Sequence, residues 1–193
     1  MGCVSGIIFG VLQFVALLFI AVGTPLAMYI PRNDSAPLIY NGYCISLWGI
    51  RDRCLVLLYS VSPKDVWSEC DGRVSRFKTA QVCAIAAAVV LVASMLASCL
   101  DACCCHCIKC VCGLLNLLAA GLLAISWGCM LDCYLNNQGS HVVMNVDVCT
   151  QMRNFTGLDN AFPQGMQLGA GFALLVAACV ISFANIFVML IPC

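Results

Sequence analysis

The sequence predicts an all-α membrane bundle of four transmembrane helices that carries a small extracellular antiparallel β-sheet. Three observations point there. Of 193 residues, 63% are hydrophobic and 9% charged, with a mean hydropathy of +0.99, far more apolar than a soluble domain. Four stretches, about 7–29, 79–100, 111–131 and 166–191, each supply the roughly 20 residues that a helix needs to cross a hydrocarbon core of about 30 Å. Between them, two longer polar segments, 30–78 and 132–165, hold β-branched and aromatic runs broken by turn residues, the pattern of short strands. No linker or low-complexity stretch divides the chain, so one domain spanning 1–193 is expected. Nine basic and nine acidic side chains cancel, which removes the electrostatic pull expected of a nucleic-acid partner.

The first stretch, 7–29, is read as a span. Its Ala21-Val22-Gly23 also resembles a signal-peptide cleavage site, but the preceding MGCVS carries no positive side chain, which favours an uncleaved helix. With four spans, parity puts both termini and the short connection 101–110 on one side and the two large loops on the other. The sides are contested. Eight of the nine Lys and Arg lie in the large loops and only Lys109 in the short one, and the positive-inside rule alone would make the large loops cytosolic. Against it stand the sequons Asn33-Asp34-Ser35 and Asn154-Phe155-Thr156, one in each large loop, since such sites are glycosylated only on the lumenal side. The cysteines agree with the sequons. Cys44, Cys54, Cys70 and Cys149 are isolated in polar loops, which suits an oxidising exterior, whereas DACCCHCIKCVC crowds thiols into the short connection, which suits the cytosol. The expected location is therefore a multi-pass plasma-membrane protein with cytosolic termini and both large loops extracellular.

Within loop 30–78, Cys44-Ile-Ser-Leu-Trp-Gly-Ile-Arg-Asp-Arg-Cys54 reads as a hairpin with Gly49 in the turn and Cys54 to Tyr59 resuming an apolar run. A bond between Cys44 and Cys54 would pin it, closing a loop of about eleven residues for roughly 3 kcal/mol on a chain-entropy model; two unpaired thiols are the plain alternative. Trp48, Leu55, Leu57 and Tyr59 are expected against the sheet's core or the membrane leaflet, and Arg51, Asp52 and Arg53 at the tip. In loop 132–165, Met144, Val146 and Val148 alternate with Asn145 and Asp147, so a further strand is expected in the same sheet. Four loop cysteines allow three pairings, one of which, Cys70 with Cys149, would tie the two loops together.

CISLWGIRDRC resembles the eleven-residue signature of the amastins, surface glycoproteins of trypanosomatid parasites. Cys44, Ile45, Ser46, Leu47, Trp48, Gly49, Arg51 and Cys54 match it, while Arg53 stands where a small polar or acidic residue is usual. VLQFVALLFIAVGTPL in the first span, VWSEC before the second, RFKTAQ at its start and GAGFALLVAA in the fourth are also amastin-like. The resemblance covers most of the chain. It implies uncleaved spans, surface exposure and, through a distant similarity of amastins to claudins, a claudin-like fold with cytosolic termini and an extracellular sheet.

In the short connection, Cys104, Cys107 and Cys110 form overlapping C-x-x-C steps around His106, a spacing that zinc or iron–sulfur ligands share. No distant second ligand pair completes such a site, and no cofactor or metal is expected. Juxtamembrane cytosolic cysteines are ordinary acylation sites, and Cys3, Cys103, Cys104, Cys105, Cys107 and Cys110 are the candidates. Gly6 stands where Gly2 myristoylation would want Ser or Thr.

Inside the spans, polar residues are few: Gln13, Ser94, Ser98, Asn116, Ser126, Ser182 and Asn185. No charged side chain or histidine falls near the middle of a span, which disfavours a coupled transporter. Small residues at Gly2, Gly6 and Gly10, at Ala80, Ala84 and Ala88, and at Gly165, Gly169 and Ala173 have the spacing of close helix packing. With His106 and His141 expected on opposite sides, no nucleophile, base and orienting group gather, and an enzyme is not expected. The reading is a surface membrane glycoprotein acting in cell-surface interaction or membrane organisation at the parasite–host boundary. Its expected partners are the lipid bilayer, other copies of itself, or a host or parasite surface molecule. The competing reading is a claudin-like pore-forming oligomer whose path is lined by Arg51, Asp52 and Arg53.

Overall fold

The computed structural model describes residues 3–32, 42–54, 59–101, 108–143, 146–156 and 164–190. In chain order the elements are α1 (Cys3–Gly23), β1 (Ala27–Pro31), β2 (Cys44–Ser46), β3 (Ile50–Arg51), α2 (Pro63–Val66), α3 (Asp71–Asp101), α4 (Ile108–Leu135), β4 (Val142–Val143), β5 (Val146–Asp147), β6 (Met166–Leu168) and α5 (Ala170–Leu190). The helices α1, α3, α4 and α5 are each long and apolar enough to cross a membrane.

Around the bundle the order is α1, α3, α4, α5, with α5 closing back on α1. Buried alanines, among them Ala16, Ala80, Ala84, Ala87, Ala119 and Ala178, let the backbones approach. Many large apolar side chains instead face outward: Val11, Phe14 and Leu18 on α1, Val82, Ile85 and Val89 on α3, Leu114 and Leu117 on α4, Val180 and Phe183 on α5. In water such a surface would aggregate; in a bilayer it is the solvated face. Polar contacts sit inside. Gln13 donates to Asn116 at 3.4 Å, Asn116 to the Cys112 carbonyl at 3.2 Å, Asn185 to the Phe9 carbonyl at 3.3 Å and Ser126 to the Ala80 carbonyl at 2.9 Å. Three of the four join two helices and the fourth returns to the preceding turn of α4, where lipid offers no partner.

The helix ends differ from expectation. The first helix stops at Gly23 rather than at residue 29, because Pro25 disfavours helix in the residue before it and the chain turns directly into β1. The second begins at Asp71 and runs for 31 residues, about 46 Å, well beyond the apolar run 79–100. The third, Ile108–Leu135, likewise outruns 111–131. The fourth begins at Ala170, since Met166–Leu168 at the expected helix start is a strand.

That strand closes the sheet, whose order is β3-β2-β1-β6 with every pair antiparallel. Because β1 leaves α1 and β6 enters α5, their pairing ties two spans directly into the sheet. Beneath it lies an aromatic core: Tyr29 stacks on Tyr134 and meets Phe77 edge-on, and Trp67 packs on Phe77 at 5.0 Å between centroids. The Tyr29 hydroxyl donates to the Met130 carbonyl on α4, and its burial raises its pKa well above the usual value. The expected strand in the second loop forms, but not where expected: β4 and β5 pair with each other as a separate two-stranded ribbon. Asp147 seals it by accepting from the His141 and Cys149 amides.

Candidate functional site

The Cys44 to Cys54 segment folds as a hairpin whose turn is Ser46 to Gly49, with Cys44 opposite Arg51 and Ile45 opposite Ile50. Ser46 shapes the turn. Its hydroxyl donates to the Gly49 carbonyl at 2.8 Å and accepts from the Trp48 and Gly49 amides. A side chain at Gly49 would stand 2.6 Å from the Val61 carbonyl, because the returning chain bridges Ile50 through Val61. Leu47 at the tip is fully buried, and its carbonyl accepts from Gln81 of α3 at 2.8 Å. The tip is therefore docked on the bundle instead of presented to solvent. Cys44 and Cys54 are joined by a disulfide, their Cα atoms 5.6 Å apart.

This placement corrects the expectation that Arg51, Asp52 and Arg53 form the tip. They follow the turn, and Arg51 is only 2% exposed. Its guanidinium lies 4.3 Å from the centre of the Tyr59 ring, donates to the Tyr59 hydroxyl, and reaches the Cys54 carbonyl at 3.3 Å. The basic signature position thus welds the disulfide-closed loop to the chain that returns beside it. Asp52 and Arg53 are exposed, with Asp52 accepting from Ser60. Trp48 is half-buried, whereas Leu55 and Leu57 lie outside the described residues.

A second disulfide joins Cys70, at the foot of α3, to Cys149 in the other loop. Beside it, Arg73 is fully buried and donates through Nη1 to the Val148 carbonyl at 2.8 Å and through Nη2 to the Thr150 carbonyl. It also lies over Trp67 and Phe155, 5.3 and 5.9 Å from the ring centres. Sequence reading counts Arg73 only as a loop cation. The usable signal is its position three residues after Cys70, which places both on one face of the same first turn. The one ion pair among the described residues, Arg76 with Asp132 at 2.9 Å, links α3 to α4 at the same level.

Of the two sequons, Asn154 is exposed on a short 3-10 turn at the sheet end and Asn33 lies outside the described residues. Among the acylation candidates, Cys3 opens α1 and Cys110 is exposed in the first turn of α4, while Cys103, Cys104, Cys105 and Cys107 lie outside the described residues.

Searches of curated proteins and of solved structures returned no match to the chain. The family model described as Amastin surface glycoprotein matches residues 14–189, a range that runs from the second half of α1 almost to the end of α5 and takes in the docked hairpin and both disulfides. The chain belongs to the amastin surface glycoprotein family.

Proposed function

We propose that the protein is a multi-pass plasma-membrane glycoprotein whose sheet end faces the outside and acts in cell-surface interaction or membrane organisation at the parasite–host boundary. The observation that carries this reading is the placement of both disulfides in the two large loops, at one end of the bundle, where an oxidising compartment is needed to keep them. Asn154, exposed at that same end, is the proposed glycan site, and Cys3, Cys110 and the neighbouring thiols of the short connection are proposed for acylation at the opposite end. The surface offered for contact is the exposed Asp52 and Arg53 edge, held rigid by the disulfide and by Arg51 beneath it.

Thiol labelling on intact cells tests the orientation. Cys44 and Cys54 should label from outside only after reduction; labelling that requires permeabilisation would reverse the topology and remove the function with it. Binding of cells displaying the full chain to host cells, compared with an Asp52→Ala/Arg53→Ala variant, tests the contact role. Equal binding by both would sink it.

A further inference from the structure

Beside the docked hairpin, Trp48, Ser62, Lys64, Val74, Phe77 and Lys78 are among the residues lining an open cavity of about 170 Å³. An opening of roughly 10–15 Å³ already admits a water, so there is room for a group of several heavy atoms. Two features separate this cavity from an ordinary surface cleft. The first is charge: Lys64 and Lys78 approach it from different elements, α2 and α3, and neither has a carboxylate partner among the described residues, where Arg76 with Asp132 is the one ion pair. The nearby Asp65 is turned onto Ser62, whose hydroxyl donates to it at 2.6 Å. The second is depth. The outward apolar face of α3 starts at Val82, 65% exposed, and Lys78 stands one turn before it, about 6 Å along the axis. The headgroup layer on each side of a hydrocarbon core is roughly 5–8 Å thick. Taking Val82 as the start of the hydrocarbon core puts Lys78 at the level of lipid phosphates, with half-buried Trp48 lining the same cavity as an interfacial aromatic.

We propose that this cavity binds the phosphate of an anionic membrane lipid, with Lys64 and Lys78 closing on the phosphate from two sides and Val74, Phe77 and Trp48 receiving the glycerol end. The acyl chains leave along the apolar face that begins at Val82. Nothing in this geometry depends on which side of the membrane the sheet end occupies.

The full chain in neutral detergent can be offered dioctanoyl phosphatidylglycerol, dioctanoyl phosphatidylcholine or inorganic phosphate, with bound lipid counted by native mass spectrometry and thermal stability read in parallel. Phosphatidylglycerol should bind and stabilise. Lys64→Gln and Lys78→Gln should each weaken it about fivefold and the pair about thirtyfold, the worth of basic side chains near a membrane surface, while Lys64→Arg/Lys78→Arg should retain it. Unfolding of the Gln variants without lipid should match wild type; if the pair misfolds, Lys64→Gln alone, on an exposed turn, carries the test. Unchanged binding by the Gln variants, equal binding of phosphatidylcholine, or inorganic phosphate binding as tightly as the lipid would each overturn the proposal.

Discussion

Replacing Arg73 by methionine removes the guanidinium fork while keeping a side chain of similar length. Two hydrogen bonds are lost, to the Val148 and Thr150 carbonyls, and bonds from a charged donor contribute about 1.5–3 kcal/mol each. The gross loss is therefore about 3–6 kcal/mol, to which the contacts over Trp67 and Phe155 add up to about 1 kcal/mol. Removing a buried cation also removes its desolvation cost, which returns part of this, leaving a net destabilisation of about 2–4 kcal/mol. The effect should be local as well as global. The disulfide still holds Cys149 at 5.6 Å Cα separation from Cys70, so the segment 148–150 loosens without leaving. Amide exchange over 148–150 should accelerate by more than about tenfold, while the midplane of the bundle stays protected, and denaturation by dodecyl sulfate from mild micelles should shift to lower detergent fraction. Arg73→Lys should fall between, since an ammonium cannot span both carbonyls as the planar fork does. If Arg73→Met unfolds within about 0.5 kcal/mol of wild type, or if Arg73→Lys is indistinguishable from wild type, the fork is not what holds the second loop.

Cys44→Ser/Cys54→Ser should cost about 3 kcal/mol on the chain-entropy model for a loop of about eleven residues, measured as lost resistance of the sheet end to limited proteolysis; an unchanged cleavage rate would mean that Arg51 alone closes the loop. Gly49→Ala forces a methyl to 2.6 Å from the Val61 carbonyl, and should destabilise by about 1–3 kcal/mol as overpacking does, with reduced chemical protection of the Cys44 to Cys54 bond as the readout. Tyr29→Phe removes one buried bond to the Met130 carbonyl, worth about 1 kcal/mol. Tyr29 also sets an alkaline limit. Its pKa is raised by burial and then by the neighbouring Cys133, so its contribution is fully present below about pH 10 and is lost as pH rises above that toward the folded-state value. Ultraviolet difference titration of wild type against Tyr29→Phe should show no ionisation from Tyr29 through the range where exposed tyrosines titrate.

Composition made the four spans legible, because burial in lipid demands long apolar helices and little else has that pattern. Their ends were not legible. Apolarity continues with few interruptions from α1 into β1 and from β6 into α5, since a buried strand and a buried helix draw on the same residues. At the hairpin, the spacing of Cys44 and Cys54 with Gly49 between them was readable, yet the fate of the charges was not. Whether Arg51 is a solvated turn residue or a buried strut depends on Tyr59, eight residues on, folding back over it. The same is true of Arg73, whose acceptors are carbonyls 75 and 77 residues away. Backbone carbonyls leave no trace in a side-chain pattern.

The small residues show how one sequence signal can serve two structural ends. Ala80 and Ala84 are buried in the bundle, as close helix packing requires, but a side chain at Gly6 or Gly10 would meet nothing within 4 Å, so the stripe on α1 does not face a neighbouring helix. Gly165 and Gly169 lie outside α5 altogether. Gly165 has φ +76° and its absent side chain would fall on the Arg153 carbonyl, while Gly169 donates to the Met28 carbonyl at 2.8 Å, with the Ala27 carbonyl where its side chain would be. Gly23 and Gly171 then meet where α1 ends and α5 begins, each leaving no room for a β-carbon between the chains. These glycines bring two backbones close enough for β1 and β6 to pair immediately above the bundle, at Tyr29 with Leu168 and Pro31 with Met166. A sheet joined so closely to two spans moves with them. The docked tip at Leu47, held by Gln81, fixes it to α3 as well, so a force applied at the exposed Asp52 and Arg53 edge has a short path into the membrane helices.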